Sequence, residues 1–163
     1  MPDQKPRTQV ETLLIDATEQ AKQGNLDEAI STLKSLLALE PNHELSLGML
    51  ASVYLQLGLT QQASDLFEQL LETYPENPLA RFQLGMAKLN SSDPKGALET
   101  WRPMLEMKDE FMANFHSALA HLQLGSTEQA RECLERASQH MPQTHPLYPQ
   151  LVNLYGQLTE RMS

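Results

Sequence analysis

Four alanines, Ala29, Ala63, Ala97 and Ala130, stand 34, 34 and 33 residues apart, and the residues around them repeat with them. Gly24 and Gly58 keep the interval of 34, Gly125 returns two intervals later with one residue missing, and Pro41, Pro75 and Pro142 fall on the same beat. A fixed period of this length restricts the chain to architectures in which one supersecondary unit stacks on copies of itself. Within a unit, the glycine supplies the left-handed residue that closes a first helix. A polar residue then opens a second: Asn25 with Glu28 and Ser126 with Gln129 have capping-box spacing, and Ser92 or Asp93 precedes Pro94. The alanine lets two helices approach closely. Bulky residues follow at helical spacing, Leu33, Leu36 and Leu37 in one unit and Leu66, Phe67, Leu70 and Leu71 in the next, until proline stops the helix.

The pattern predicts antiparallel helix pairs over 10–43, 44–77, 78–110 and 111–144, preceded by a flexible tail over 1–9. The segment 145–163 follows as one more helix, with Leu147, Leu151, Leu154, Tyr155 and Leu158 on one stripe. Such a helix covers the apolar flank that a stack of repeats leaves at its end. Pro103 falls inside the second helix of unit three and predicts a kink near Glu99–Pro103.

These features resemble the tetratricopeptide repeat, in which 34-residue helix pairs stack into a right-handed superhelical solenoid. The resemblance rests on the glycines and alanines above, on Phe67 and Trp101 at the bulky site, and on the terminal prolines. It implies an all-α fold with a C-terminal capping helix. The chain departs from the pattern where Leu13, Leu47, Arg81 and Asn114 replace the usual early aromatic, and where Ser92 and Asp109 replace the glycine and proline of unit three. Residues 115–130, FHSALAHLQLGSTEQA, also look like the last repeat of type III secretion chaperones for translocators, which are acidic and hold hydrophobic clients in a groove.

Catalytic and metal-binding signatures are lacking. The seven glycines are too scattered for a phosphate loop. His116 and His121 are five apart, off a common helix face, and His43, His140 and His145 lie at joints and loops. Cys133 sits between Glu132 and Glu135, where negative charge disfavours a thiolate, and a lone cysteine makes no internal disulfide. The expectation is a protein without enzymatic activity, cofactor or metal. A formal charge of -9 argues against nucleic acid as partner. No apolar run is long enough to span a membrane, and the first residues, MPDQKPRTQVE, hold no apolar core of signal-peptide length, so a cytoplasmic protein is expected.

In the family resembled, first-helix positions 2, 5, 9, 12 and 13 of each unit line the concave surface. Those offsets give Leu45, Gly48, Ser52, Leu55 and Gln56 in unit two, Leu79, Phe82, Met86, Leu89 and Asn90 in unit three, and Met112, Phe115, Leu119, Leu122 and Gln123 in unit four. None is charged, so a lysine and arginine clamp for a terminal carboxylate is missing, and the negative charge is expected on the convex face. Leu55, Leu89 and Leu122 are expected to pack as core. Leu45, Ser52, Leu79, Phe82, Met86, Met112, Phe115 and Leu119 are the candidate partner-binding residues, suited to an amphipathic helix or hydrophobic peptide. The implied function is a protein-interaction adaptor or chaperone. The alternative is a self-associating assembly protein, a homodimer whose groove is filled by another subunit. On this reading Phe82→Glu and Phe115→Glu abolish partner capture and leave helical content intact.

Overall fold

The computed structural model describes residues 7–105, 107 and 110–160, and every regular element among them is helical. In order these are α1 (Gln9–Lys22), α2 (Leu26–Leu39), α3 (Glu44–Gln56), α4 (Thr60–Thr73), α5 (Pro78–Asn90), α6 (Pro94–Trp101), α7 (Phe111–Gln123), α8 (Thr127–His140) and α9 (Tyr148–Glu160). The chain divides into two compact units, one up to Ala80 and one from Arg81. Among the described residues no helix is long and apolar enough to cross a membrane.

The four turns between paired helices share one hydrogen-bond scheme. The N–H groups of Asn25, Leu59, Asp93 and Ser126 donate to the carbonyls five residues back, Gln20, Tyr54, Lys88 and His121, at 2.8–2.9 Å. That is the Schellman closure, and it requires a left-handed residue just before each donor. Gly24, Gly58 and Gly125 fill three of these positions with φ of 79°, 73° and 72°. Ser92 fills the fourth with φ of 62°, so the turn survives the loss of its glycine at the cost of a side chain in a disfavoured conformation. Ser92→Gly is therefore expected to stabilise the protein by about 0.5–1 kcal/mol, read as a higher urea midpoint at unchanged m-value. The other glycines do not punctuate the repeat: Gly48, Gly85, Gly96 and Gly156 lie inside helices.

The helix starts differ from expectation. Asn25 and Ser126 occupy N-cap positions, yet neither side chain bonds to the helix. The reciprocal capping box belongs to Thr8 and Glu11, with bonds of 2.7 and 3.1 Å. Asp93 caps α6 by accepting from the Gly96 N–H at 2.9 Å. Pro103 lies beyond the end of α6, not inside the helix as expected. Helix α6 instead stops at Trp101 and the backbone tightens into a 3-10 turn over Arg102–Met104, because proline offers no N–H to continue the α-helical ladder.

In the N-terminal unit α1 packs on α2, α2 on α3 and α3 on α4. Ala29 and Ala63 are wholly buried between helices, and Leu33, Leu36, Phe67 and Leu70 fill the core, each contributing roughly 1.5–3 kcal/mol of transfer free energy. In the C-terminal unit α6 packs on α7, α7 on α8 and α8 on α9. The apolar stripe of α9 joins Phe115, Leu134 and Ala137 in one cluster through Leu151 and Leu158.

Candidate functional site

The N-terminal unit holds an open cavity of about 1060 Å³. Its walls come from α1 through Leu14 and Ala21, from α3 through Leu45, Gly48, Met49, Ser52 and Gln56, and from the joints between helix pairs. The period explains the space. Position 48 corresponds to positions 82 and 115 in later units, where the chain has Phe82 and Phe115. At position 48 it has glycine, and a Cβ placed there would meet only Leu70 Cδ2, at 3.9 Å. Three leucines lining the cavity are exposed, Leu39 at 49%, Leu45 at 56% and Leu79 at 64%. Large apolar side chains so open to water, lining one concavity, are unusual unless something covers them.

A polar seam fixes one edge of the cavity. Tyr74 Oη donates to the Asn42 carbonyl at 3.0 Å, Gln69 Nε2 to the Pro41 carbonyl at 3.1 Å, and Asn77 Nδ2 to Glu44 Oε1 at 2.8 Å. These bonds tie α4 and the joint after it to the joint after α2 and the start of α3. Two caps hold the adjoining helix starts: the Ser46 N–H donates to His43 Nδ1 at 3.3 Å and the Ala80 N–H to Asn77 Oδ1 at 2.8 Å. Ser52 Oγ donates to the Gly48 carbonyl at 2.8 Å, so towards a ligand it offers an acceptor oxygen and no proton.

The sequence-derived residues separate into two groups. Leu45, Ser52 and Leu79 come together on the cavity, with Gly48 and Gln56 from the same offsets. Of the candidates in the C-terminal unit, Phe115 belongs to the interior, and Phe82, Met86, Met112 and Leu119 are half-buried. Phe115, expected on an exposed groove, is 1% exposed within the α7–α8–α9 cluster. Phe82 is half-buried and stacks on Trp101 at 6.2 Å between ring centroids. Met86 and Leu119 pack against the cluster around Trp101 and Met104, and Met112 is half-buried. Of the three leucines expected as core, Leu89 is buried, while Leu55 and Leu122 are half-buried.

Other lining residues stand beside those named from units two to four. Leu14 and Ala21 hold the same register in unit one. Leu39 ends α2, Glu44 opens α3 just before the first offset, and Glu40, Asn42 and Tyr74 come from joints, so none falls on an offset. The convex-face assignment of charge is corrected here, because Glu40 and Glu44 both line the cavity. Glu11 and Lys22, the charged residues at unit-one offsets, do not line it; Glu11 is engaged with Thr8.

Burial shapes His116 and Cys133 in the C-terminal unit. His116 lies among Phe82, Trp101 and Phe115, with centroids 5.3–6.2 Å away, and desolvation lowers its pKa, favouring the neutral ring. Burial likewise pushes the Cys133 thiol up, with Glu132 adding to it against Arg136, so the nucleophilic thiolate is disfavoured. Among the described residues, no group of three or more histidine, cysteine, aspartate or glutamate side chains is arranged to hold a metal ion.

Two family models described as tetratricopeptide repeat match the chain, one over residues 20–81 and one over 82–143. No curated protein matches it in sequence. Among solved structures, a crystal structure of MamA protein aligns with a TM-score of 0.79 at 18% identity, covering 94% of this chain and 87% of that one. A further MamA structure aligns at 0.72 and 24% identity over 81% and 78% of the two chains. YrrB, described as a TPR protein with an unusual peptide-binding site, aligns at 0.77 and 18% identity, over 92% of this chain and 76% of its own. At such identities the likeness speaks for fold.

Proposed function

Because the chain belongs to the tetratricopeptide repeat family, we propose that it is a non-enzymatic adaptor or chaperone that holds an apolar peptide segment of a partner protein in the cavity of its N-terminal unit. The observation that carries this reading is the pairing of exposed Leu45 and Leu79 on a single concavity of about 1060 Å³. That volume lies at the upper end of small-molecule sites and suits several side chains of a peptide. YrrB, a relative in fold, is itself described as peptide-binding. Affinity comes from burying leucine and methionine surface at about 25 cal/mol per Å², less the ordering of the peptide. The polar seam fixes the wall against which the peptide lies. The cytoplasm is the proposed compartment.

Leu79→Glu is expected to weaken binding of a labelled leucine-rich peptide about tenfold, and Leu45→Glu with Leu79→Glu about a hundredfold, since each removes apolar contact and desolvates a carboxylate. Gly48→Phe adds no charge and places a ring in the cavity, and it is expected to lower binding comparably. Fluorescence anisotropy measures both, with circular dichroism confirming the fold. Undiminished binding in all three variants would remove the cavity as the site.

A further inference from the structure

The acidity of this protein is unevenly divided. Residues up to Ala80 carry twelve acidic and four basic side chains, a formal -8, whereas those from Arg81 on carry nine and eight, a formal -1. Nearly all the net charge therefore belongs to the unit that holds the open apolar cavity. The lining repeats the asymmetry: it includes the carboxylates of Glu40 and Glu44 and no lysine or arginine. Glu44 is also held in place. Its Oε1 accepts from Asn77 Nδ2 at 2.8 Å, which orients the carboxylate at the cavity edge and leaves Oε2 for a ligand donor.

Resting on the cavity reading above, we infer that the occupant is a cationic amphipathic segment of a partner protein. Its apolar side chains cover Leu45, Met49 and Leu79, and a lysine or arginine meets the carboxylates of Glu40 and Glu44. An anionic segment is repelled twice, by these two groups at contact distance and by the net field of the unit over roughly a Debye length of 10 Å. A neutral apolar segment gains only the burial. Charge thus selects among peptides that the leucines alone would accept, a division of labour in which electrostatics gives specificity more than affinity.

Three labelled peptides of equal length test this with the full chain: leucines and alanines with two N-terminal lysines, the same with two glutamates, and a lysine peptide whose leucines are serine. At low salt the leucine–lysine peptide is expected to bind about tenfold more tightly than the leucine–glutamate one, as two exposed attractive contacts become repulsive. The gap should close in high salt. It should narrow in the Glu40→Gln, Glu44→Gln double variant, in which the side-chain amide introduced at position 44 keeps an oxygen for Asn77 and only the weaker field of the rest of the unit remains. Equal binding of the two leucine peptides at low salt would overturn the charge inference and leave the cavity reading standing. Failure of both to bind would remove the cavity reading itself. Equal binding of the serine–lysine peptide would show unspecific attraction and overturn the inference as well.

Discussion

Phe115→Glu is expected to unfold the C-terminal unit, where the sequence alone suggested a folded protein that had lost its partner. The ring is 1% exposed and shares a cluster with Leu134, Ala137, Leu151 and Leu158. Removing a buried phenylalanine costs about 3–5 kcal/mol. A carboxylate in its place adds the cost of a charge with no cation in the cluster, or of protonation to avoid it. Together these approach the roughly 5–15 kcal/mol that a domain has in total. Circular dichroism should show helical signal lost at ambient temperature, or a melting midpoint many degrees lower. Phe115→Leu, which keeps the site apolar, should remain folded with a loss of about 1–1.5 kcal/mol. A well-folded Phe115→Glu protein would place this ring on a surface and overturn the assignment.

That reversal shows what a repeat pattern contains. The alanines at 29, 63, 97 and 130 could be read because every helix pair imposes the same close approach, and all four are wholly buried. The turns could be read because each demands a left-handed residue, a local requirement that even Ser92 meets. Leu45 and Leu79 follow from first-helix offsets for the same reason. Phe115 shares its register with Gly48, but the surroundings differ: Leu151 and Leu158 of α9 join its cluster, whereas beside Gly48 a Cβ would meet only Leu70 Cδ2, at 3.9 Å. Register gives direction along a helix. Exposure depends on what lies opposite, and a single unit does not encode its neighbour. Glu40 and Glu44 escaped for a related reason, since the joint after α2 and the start of α3 form the cavity edge only once Tyr74 and Asn77 bond to them.

Gly85→Ala is expected to destabilise the protein by about 2–3 kcal/mol, although glycine to alanine inside a helix ordinarily stabilises by up to about 1 kcal/mol. A Cβ at position 85 would overlap the indole of Trp101, which is wholly buried and whose Nε1 donates to the Phe82 carbonyl at 3.1 Å. The indole is fixed by that bond and by its stacking on Phe82, so it cannot withdraw without losing both. The period shows how the pair arose: the positions matching Gly85 are Ala17, Ala51 and Ala118, and those matching Trp101 are Leu33, Phe67 and Leu134. The largest residue of one series thus meets the smallest of the other, keeping the summed volume near constant. Trp101→Phe restores the combination found at Ala51 and Phe67, so in that background Gly85→Ala should be neutral or stabilising, giving a coupling of about 2 kcal/mol or more in a double-mutant cycle. Gly156 provides the control, lying inside α9 with nothing within 4 Å of an added Cβ. Gly156→Ala should raise stability by about 0.5–1 kcal/mol. If Gly85→Ala stabilises as Gly156→Ala does, the close approach of Trp101 to α5 is wrong, and the compensation between the two series is wrong with it.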